Sequence, residues 1–276
     1  MIQKIIGYQN DSGAKADQLV LEIGTKHLAC LTSSKDLDLL TGFELFGVEP
    51  NGSGWKEAWT LIDETSELLG AAYANTTICF NCHESLILPA QHFTNTSAES
   101  HLSLVYGENP AQTVQSDTLS AASLVNVYRI PKKLQQLLEG RFPGHQSTHT
   151  FSLLLEDVLS RAGLPSQFLK LQVYTDHFIV AYVKNRKLQL VRSFEYHTGE
   201  DILYYLSDIT QQFSILQKQS EIEISGMLHA ELLSQKQLLN LFGHVSFDEI
   251  SADPGFISAV SIYPPYYFSP FHKSAV

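Results

Sequence analysis

Three residues in the first third of the chain have the types and spacing of a covalent haem site. Cys79, Cys82 and His83 spell CxxCH within the stretch TICFNCHESLILP. Two thiols at this spacing can bond the vinyl groups of a haem while the adjacent imidazole ligates the iron. The same three residues could also bind zinc, with a fourth ligand still to be found among the 11 histidines of the chain.

The elements that carry these residues oppose both uses. The segment TTICFN reads as a strand, so Cys79 lies within a strand and Cys82 just after it. Residues three apart in a strand point to opposite faces, which separates the two thiols unless a turn intervenes. The pattern therefore favours ordinary strand and turn residues over a haem or zinc site, and no metal site is predicted.

Composition and charge limit the possible partners. The chain has 276 residues, above the usual domain size, which predicts two lobes. A net charge of -11 opposes binding to a nucleic-acid backbone. Three cysteines are too few for a disulfide framework, the amino terminus has no export signal, and no apolar run reaches the length of a membrane span. These features predict a cytoplasmic protein with no membrane span.

Two stretches about half a chain apart resemble each other, one beginning at Glu22 and the other at Gln172. The aligned pairs are Thr25 with Thr175, His27 with His177 and, after one extra residue, Phe43 and Glu44 with Phe194 and Glu195. Each copy reads as three strands joined by polar turns, because apolar residues are concentrated in the first two segments and alternate in the third. The repeat predicts a duplicated fold.

A helix and a further strand complete each copy. Apolar residues recur at helical spacing in both predicted helices: Trp55, Ala58, Trp59, Ile62 and Leu69 in the first, and Ile202, Tyr205, Leu206, Ile209 and Phe213 in the second. Thr198, followed three positions later by Asp201, resembles a capping box at the start of the second helix. The closing strands are TTICFN and SEIEIS.

The remaining segments carry the less repetitive parts of the chain. Between the copies we expect helices over 99–106, after Pro131 and over 150–162, a polar connection through Ser120, and a strand over 124–128. After the second copy we expect a helix over 229–241 and a strand over 245–247. The aromatic, proline-bearing tail IYPPYYFSPFH is either a strap packed on its own domain or a docking peptide for a partner.

The duplicated strand–strand–strand–helix–strand layout resembles the actin-like ATPase superfamily, whose lobes each carry a ribonuclease-H-like unit. LILPAQHF, VNVYRIPKKLQQLLEGRFPGHQSTHTFSLLLE and FEYHTGEDILYYLSDITQQF resemble the signatures of an uncharacterised bacterial family of unknown function with that fold, from about Asp17 to Ile250. The resemblance implies an α/β fold of two lobes with mixed five-stranded sheets and flanking helices. We expect residues 1–160 to form the first lobe with an inserted subdomain, and 161–276 the second with the tail.

The resemblance also implies a nucleotide site in the cleft between the lobes. The residues at the matching positions are Glu22, Gly24, Thr25 and Lys26 in the first turn, Thr175 and Asp176 in the second, and Ser225 and Gly226 in the adenosine segment. The first turn departs from the usual DxGT by one methylene in the acid. The second turn has no glycine, and the adenosine segment has one glycine where a pair is typical.

Two functions follow from this resemblance. In the first, the protein has lost much of its nucleotide machinery and acts through an unidentified protein partner, as do the similar actin-like cytoplasmic components of pilus assembly and type II secretion. In the second, it is an ATPase or phosphotransferase that uses ATP with magnesium, with Glu22 or Asp176 orienting metal-bound water. No catalytic residue is assigned in the first reading.

Overall fold

The computed structural model describes residues 2–10, 16–34, 39–49, 55–228, 232–250 and 254–273. The chain forms two compact units, the first made of Met1–Leu153, Ala252–Ile262 and Phe271–Val276, and the second of Leu154–Ser251 and Tyr263–Pro270. Whether 1–160 and 161–276 are the folding domains stays a prediction. None of the described helices has the length and apolar character needed to cross a bilayer.

The strands and helices alternate along the chain. In chain order the strands are β1 (Ile2–Gln9), β2 (Gln18–Ile23), β3 (His27–Ser34), β4 (Leu39–Val48), β5 (Asn75–Phe80), β6 (Ser85–Pro89), β7 (Gln112–Leu119), β8 (Leu124–Pro131), β9 (Gln146–His149), β10 (Gln167–Val173), β11 (His177–Lys184), β12 (Lys187–Glu195), β13 (Ser220–Gly226) and β14 (His244–Phe247). The helices are α1 (Trp55–Thr65), α2 (Ala98–Tyr106), α3 (Lys132–Arg141), α4 (Thr150–Ser160), α5 (Gly199–Gln212), α6 (Gln235–Leu239), α7 (Pro254–Ala259) and α8 (Ser269–Lys273).

Each unit is built on a mixed sheet of the same design. The strand order is β1-β4-β3-β2-β5-β9 in the first unit and β12-β11-β10-β13-β14 in the second. The first three strands of each copy pair antiparallel, and the closing strands pair parallel. The predicted α/β class and duplicated actin-like fold are confirmed, but the first sheet has six strands rather than five, because β1 pairs antiparallel with β4.

The strand ladders correct one part of the sequence alignment. His27 and His177 do occupy equivalent places, each at the start of the second strand of its copy. In the third strand, Phe46 pairs with Leu28, whereas Phe194 pairs with Phe178. The residue equivalent to Phe194 is therefore Phe46, and its alignment with Phe43 is wrong by three positions. Both hairpins contain a register shift that alignment by residue type does not reveal.

The amphipathic helices bury the faces expected from their spacing. Ala58, Trp59 and Ile62 of α1 lie in the core of the first unit, and Ile202, Leu206 and Ile209 of α5 lie in the core of the second. Leu69 and Phe213 fall beyond the ends of these helices. The capping box is confirmed, because the Thr198 hydroxyl accepts from the Asp201 amide while the Asp201 carboxylate accepts from the Thr198 amide.

An inserted sheet of order β6-β8-β7 lies between β5 and β9 in the sequence. The predicted polar connection through Ser120 is wrong in part, because residues up to 119 form β7, whose polar side chains lack strand alternation but whose backbone pairs with β8. The fully buried Arg129 of β8 donates to Glu99 and Ser103 of α2 and to the Gly107 carbonyl. These charged bonds hold α2 on the inserted sheet.

Several shorter helices and strands have bounds that differ from the predicted ones. The helix predicted over 150–162 ends at Ser160, and the strand over 124–128 extends to Pro131. The helix predicted over 229–241 is the shorter α6, while residues 229–231 lie outside the described part of the chain. The predicted helices over 99–106 and after Pro131, and the strand over 245–247, are confirmed within one residue at their starts.

Aromatic residues of the C-terminal segment are buried in both units. In the first unit, the ring of Phe271 lies 5.7 Å from that of Phe43 and 6.1 Å from that of His27. In the second unit, Tyr267 and Phe268 are buried. Since aromatic rings of this size dominate the burial energy of a core, the tail packs as expected of a strap.

Candidate functional site

The first candidate turn joins β2 to β3. The amide of Gly24 donates to the carbonyl of His27 at 2.9 Å and closes the turn. The amide of Asn81, directly after β5, donates to the carbonyl of Ile23 at 2.9 Å. Because β2 lies between β3 and β5, the residue at position 22 is flanked in register by Ala29 and Cys79.

Glu22 is a fully buried carboxylate that this unit's own residues bind. His27 Nε2 lies 3.0 Å from Glu22 Oε1, where it donates a hydrogen bond, and Asn81 Nδ2 donates to the same oxygen at 3.1 Å. The second oxygen, Oε2, is buried and accepts no hydrogen bond from the described residues. Such charge-assisted bonds fix both the carboxylate and the imidazole.

The space over Gly24 is occupied by the imidazole of His27. A Cβ added at position 24 would overlap the ring atoms of His27. A phosphate turn uses glycine so that a ligand can approach the backbone closely. Here the close approach is made by a side chain of the same turn, while Thr25 is half-buried and Lys26 is exposed.

The second candidate turn, between β10 and β11, has the same backbone bond and different side chains. The Tyr174 amide donates to the His177 carbonyl at 2.9 Å. The buried Tyr174 ring stacks on the His177 imidazole at 4.8 Å between centroids, and its hydroxyl accepts from Gln172 Nε2 at 2.5 Å. Tyrosine thus fills the place that glycine holds in the first turn, and neutral glutamine holds the place of Glu22.

The two predicted ligands in this second turn differ in exposure. Thr175 is exposed, whereas Asp176 is half-buried and accepts a hydrogen bond from His177 Nδ1 at 2.7 Å. The aspartate therefore orients the histidine that stacks on Tyr174. In both turns a histidine at the same position is paired with a carboxylate, Glu22 in one case and Asp176 in the other.

The predicted adenosine segment lies at the end of β13. Ser225 pairs in register with Gln172, and its buried hydroxyl has no hydrogen-bond partner among the described residues. Gly226 has a φ of 88°, and an added Cβ would overlap the carbonyl oxygen of Val173. This glycine is therefore required by the parallel pairing of β13 with β10, which gives it a structural reason.

Taken turn by turn, the residues do not fit the demands of a magnesium-bound triphosphate. A metal site needs a carboxylate with free oxygens, and a phosphate cradle needs open backbone amides. Oε2 of Glu22 accepts no hydrogen bond from the described residues but is buried, and Oε1 already accepts two. The space over Gly24 is filled by His27, and Tyr174 places a large ring at the equivalent position. The nucleotide-binding role of the eight residues stays a prediction.

The CxxCH residues are held by separate partners. Cys79 is buried with its sulfur 3.4 Å from the Thr150 hydroxyl, and the Cys82 thiol donates to the Arg129 carbonyl at 3.2 Å. Burial raises the pKa of Cys82 to about 12, which keeps the thiol protonated and weakly nucleophilic at neutral pH. Within the described ranges, no three His, Cys, Asp or Glu side chains are grouped as metal ligands.

Sequence reasoning missed the residues that fill the first turn. The repeat marks His27 but indicates no contact with Glu22, and no pattern marks Asn81. A signal was present, because histidine recurs at the same offset after both turns. What the sequence could not provide is the direction of the imidazole, which depends on the burial of Glu22 beside it.

Comparison with known proteins identifies the family and the fold of this chain. The family model described as protein of unknown function (DUF3822) matches residues 10–245. A protein of unknown function with an actin-like ATPase fold from Bacteroides thetaiotaomicron is similar at 20% identity and TM-score 0.72, over 89% of this chain and 95% of that chain. No curated protein matches.

Two further solved structures share the fold. The PilM–PilN type IV pilus biogenesis complex is similar at 14% identity and TM-score 0.62, over 95% of this chain and 98% of that chain. The ethanolamine utilization protein EutJ from Carboxydothermus hydrogenoformans is similar at 8% identity and TM-score 0.51, over 96% of this chain and 91% of that chain. These likenesses show the actin-like ATPase fold.

Proposed function

The chain belongs to DUF3822, a family of proteins of unknown function, and from this premise we propose that it is a cytoplasmic protein that uses an actin-like scaffold to bind a protein partner and does not hydrolyse ATP. The observation that carries this proposal is the state of the first turn. There the imidazole of His27 fills the space over Gly24 and is bonded to Glu22, the acid expected to hold the metal.

The second turn supports the proposal independently. Tyr174 stands where a phosphate turn requires a residue without a side chain, and its ring is buried against His177. Opening this turn for a phosphate would break that stack and expose a buried aromatic ring, at a cost of about 3 kcal/mol or more. A ligand must offset that cost before it binds.

The fold comparisons and the cysteines support the remaining parts of the proposal. A structure of the same fold is part of the PilM–PilN type IV pilus biogenesis complex, so this scaffold serves elsewhere as a component of a protein assembly. Cys30, Cys79 and Cys82 are all thiols rather than disulfides, which suits a reducing compartment.

Calorimetric titration with magnesium-ATP tests the proposal. We expect no saturable heat at millimolar nucleotide for the wild-type chain, and the same result for Glu22→Ala. Saturable binding that Glu22→Ala abolishes, together with phosphate release, would overturn the proposal in favour of an ATPase or phosphotransferase. A matched variant, Glu67→Ala, changes an exposed acid of the same unit and controls for the loss of charge.

A further inference from the structure

The two sheets differ at one edge. In the first unit, β1 pairs antiparallel with β4 from Ile2 opposite Val48 to Gln9 opposite Gly42. The equivalent strand of the second unit is β12, and no described strand pairs with its outer edge. The fold therefore accepts an added antiparallel strand at this position, and the second unit of the described chain does not supply one.

The uncovered edge has a charge opposite to that of the chain as a whole. Four basic residues lie exposed at the hairpin and along β12: Lys184, Arg186, Lys187 and Arg192. The strand's one acidic residue, Glu195, lies at its far end. In a protein of net charge -11, such a basic stretch attracts an acidic segment and sets it in register.

Aromatic rings lie beside the basic residues of this edge. Gln189 lies at the register shift of the β11–β12 ladder, and its side chain donates to the carbonyls of Lys187 at 3.1 Å and Leu188 at 3.3 Å. An added strand would replace these local bonds at that point. Beside the strand, the ring of Phe194 packs on Tyr205 of α5 at 4.6 Å, and the neighbouring Tyr204 is 68% exposed. Alternate side chains of an added strand would pack on these rings.

We propose that the outer edge of β12, from Lys187 to Arg192, binds an acidic extended segment of a partner protein as an added antiparallel strand. The inference rests on the proposed function and assigns it a surface. A second copy of this chain fits less well, because antiparallel pairing of Lys187–Arg192 with the same stretch of another copy would set Lys187 opposite Arg192. The strand β1 of a second copy carries one charged residue, Lys4, and it has the wrong sign.

Selection from random peptides displayed on phage, with the full chain immobilised, tests this surface. We expect enriched peptides to alternate acidic and apolar residues. A synthetic copy of the most enriched peptide should lose at least about tenfold in affinity, measured by fluorescence anisotropy, when Lys187→Glu and Arg192→Glu are combined. N-methylation of alternate backbone amides in the peptide should abolish binding, and Lys218→Glu, an exposed lysine elsewhere in the second unit, should leave it unchanged.

Three outcomes would overturn the proposal. They are the absence of enriched peptides, enriched peptides whose binding ignores both the charge reversal and N-methylation, and dimers in sedimentation that Arg192→Glu dissociates. The last would assign the edge to a second copy. The magnesium-ATP titration distinguishes a failure of this inference from a failure of the proposed function. If the titration shows no saturable heat and the peptide test fails, only the binding surface on β12 is refuted. Saturable heat with ATP would refute the proposed function.

Discussion

The two turns have the same backbone and opposite chemistry. In each, the amide of the third residue before the histidine donates to the histidine carbonyl at 2.9 Å. The first turn keeps an acid and a glycine, Glu22 and Gly24, and fills the space with His27. The second replaces them with Gln172 and Tyr174 and fills the space with a tyrosine ring.

The difference shows that side chains can fill the same backbone turn in two ways. In the first unit a residue outside the expected motif fills the gap, so the motif itself still resembles a phosphate turn. In the second unit the glycine position itself is changed, so the departure is readable in the sequence. A motif in a sequence therefore reports the backbone of such a turn more reliably than the space within it.

Truncation after Val260 should lower the stability of the protein most, because it removes buried aromatic rings from both units. The deletion takes Phe271 from beside His27 and also removes the buried Tyr267 and Phe268. At about 3 kcal/mol for each buried ring, the loss is comparable with the whole stability of a domain. We expect the thermal transition to be lost or strongly lowered, measured by circular dichroism.

Ile262→Ala is the control for the truncation, since this side chain is 85% exposed. It should change the free energy of unfolding by less than about 0.5 kcal/mol. A truncated chain that unfolds at the wild-type temperature would contradict the role of the tail as a strap.

Tyr174→Ala tests the second turn alone. It removes a fully buried ring and its stack on His177, so we expect a loss of about 3–5 kcal/mol in the free energy of unfolding by urea. Tyr204→Ala on α5 removes an exposed tyrosine of the same unit and serves as the matched control. A loss below about 1 kcal/mol for Tyr174→Ala would mean that the second turn does not depend on this ring.

Gly24→Ala tests whether His27 fills the first turn. The added methyl group would overlap the His27 ring, and we expect a loss of about 1–3 kcal/mol. The double variant with His27→Ala should be no less stable than His27→Ala alone, because the obstacle is then absent. Additive losses in this double-mutant cycle would show that the imidazole is not the group in contact.

Lowering the pH should weaken the first unit through His149, which is fully buried on β9. Burial lowers its pKa to about 3, while Nε2 donates to the Cys82 carbonyl and Nδ1 accepts from the Phe151 amide. Since the folded pKa lies below the ordinary value of 6.5, the neutral imidazole's contribution is complete above that pH. As the pH falls from there towards about 3, the unfolded chain binds the extra proton and the contribution is lost.

The slope is about 1.4 kcal/mol per pH unit in this range. His149→Gln can keep both hydrogen bonds without titrating, so the difference between wild type and variant should shrink as the pH falls below 6.5. Equal slopes in urea unfolding for the two proteins would contradict the assignment.

Glu22→Gln should have the smallest effect, because it gives the first turn the neutral residue found in the second. Glutamine can still accept from His27 and Asn81, so only the charge assistance is lost, about 1 kcal/mol. Glu67→Gln, at an exposed acid, is the control in the same urea measurement. A loss above about 3 kcal/mol would mean that the charge of Glu22 holds the turn together.

Local sequence patterns predicted the elements that depend on periodicity. The spacing of Ala58, Trp59 and Ile62 indicated α1, and Thr198 with Asp201 indicated the start of α5. No sequence pattern marks strand β1, because its polar and apolar residue types do not alternate and its pairing with β4 depends on residues far along the chain. The polar side chains of β7 also give no strand pattern, although this strand pairs with β8, the next strand in the chain.

The candidate site was predictable only in part. The positions of Glu22 and Gly24 at a tight turn followed from the repeat, and the loss of glycine at Tyr174 was visible directly. The filling of the first turn was not, because it depends on which way the His27 ring points. That direction is set by a buried hydrogen bond to Glu22 and by packing against Phe271, which lies near the other end of the chain.

The central claim is that both turns are closed by their own side chains, and amide hydrogen exchange measures this directly. Exchange at residues 23–27 and 173–177 would be followed by mass spectrometry with and without millimolar magnesium-ATP. We expect identical exchange in both turns under the two conditions. Protection of either turn by magnesium-ATP would show that nucleotide enters it and would contradict the claim.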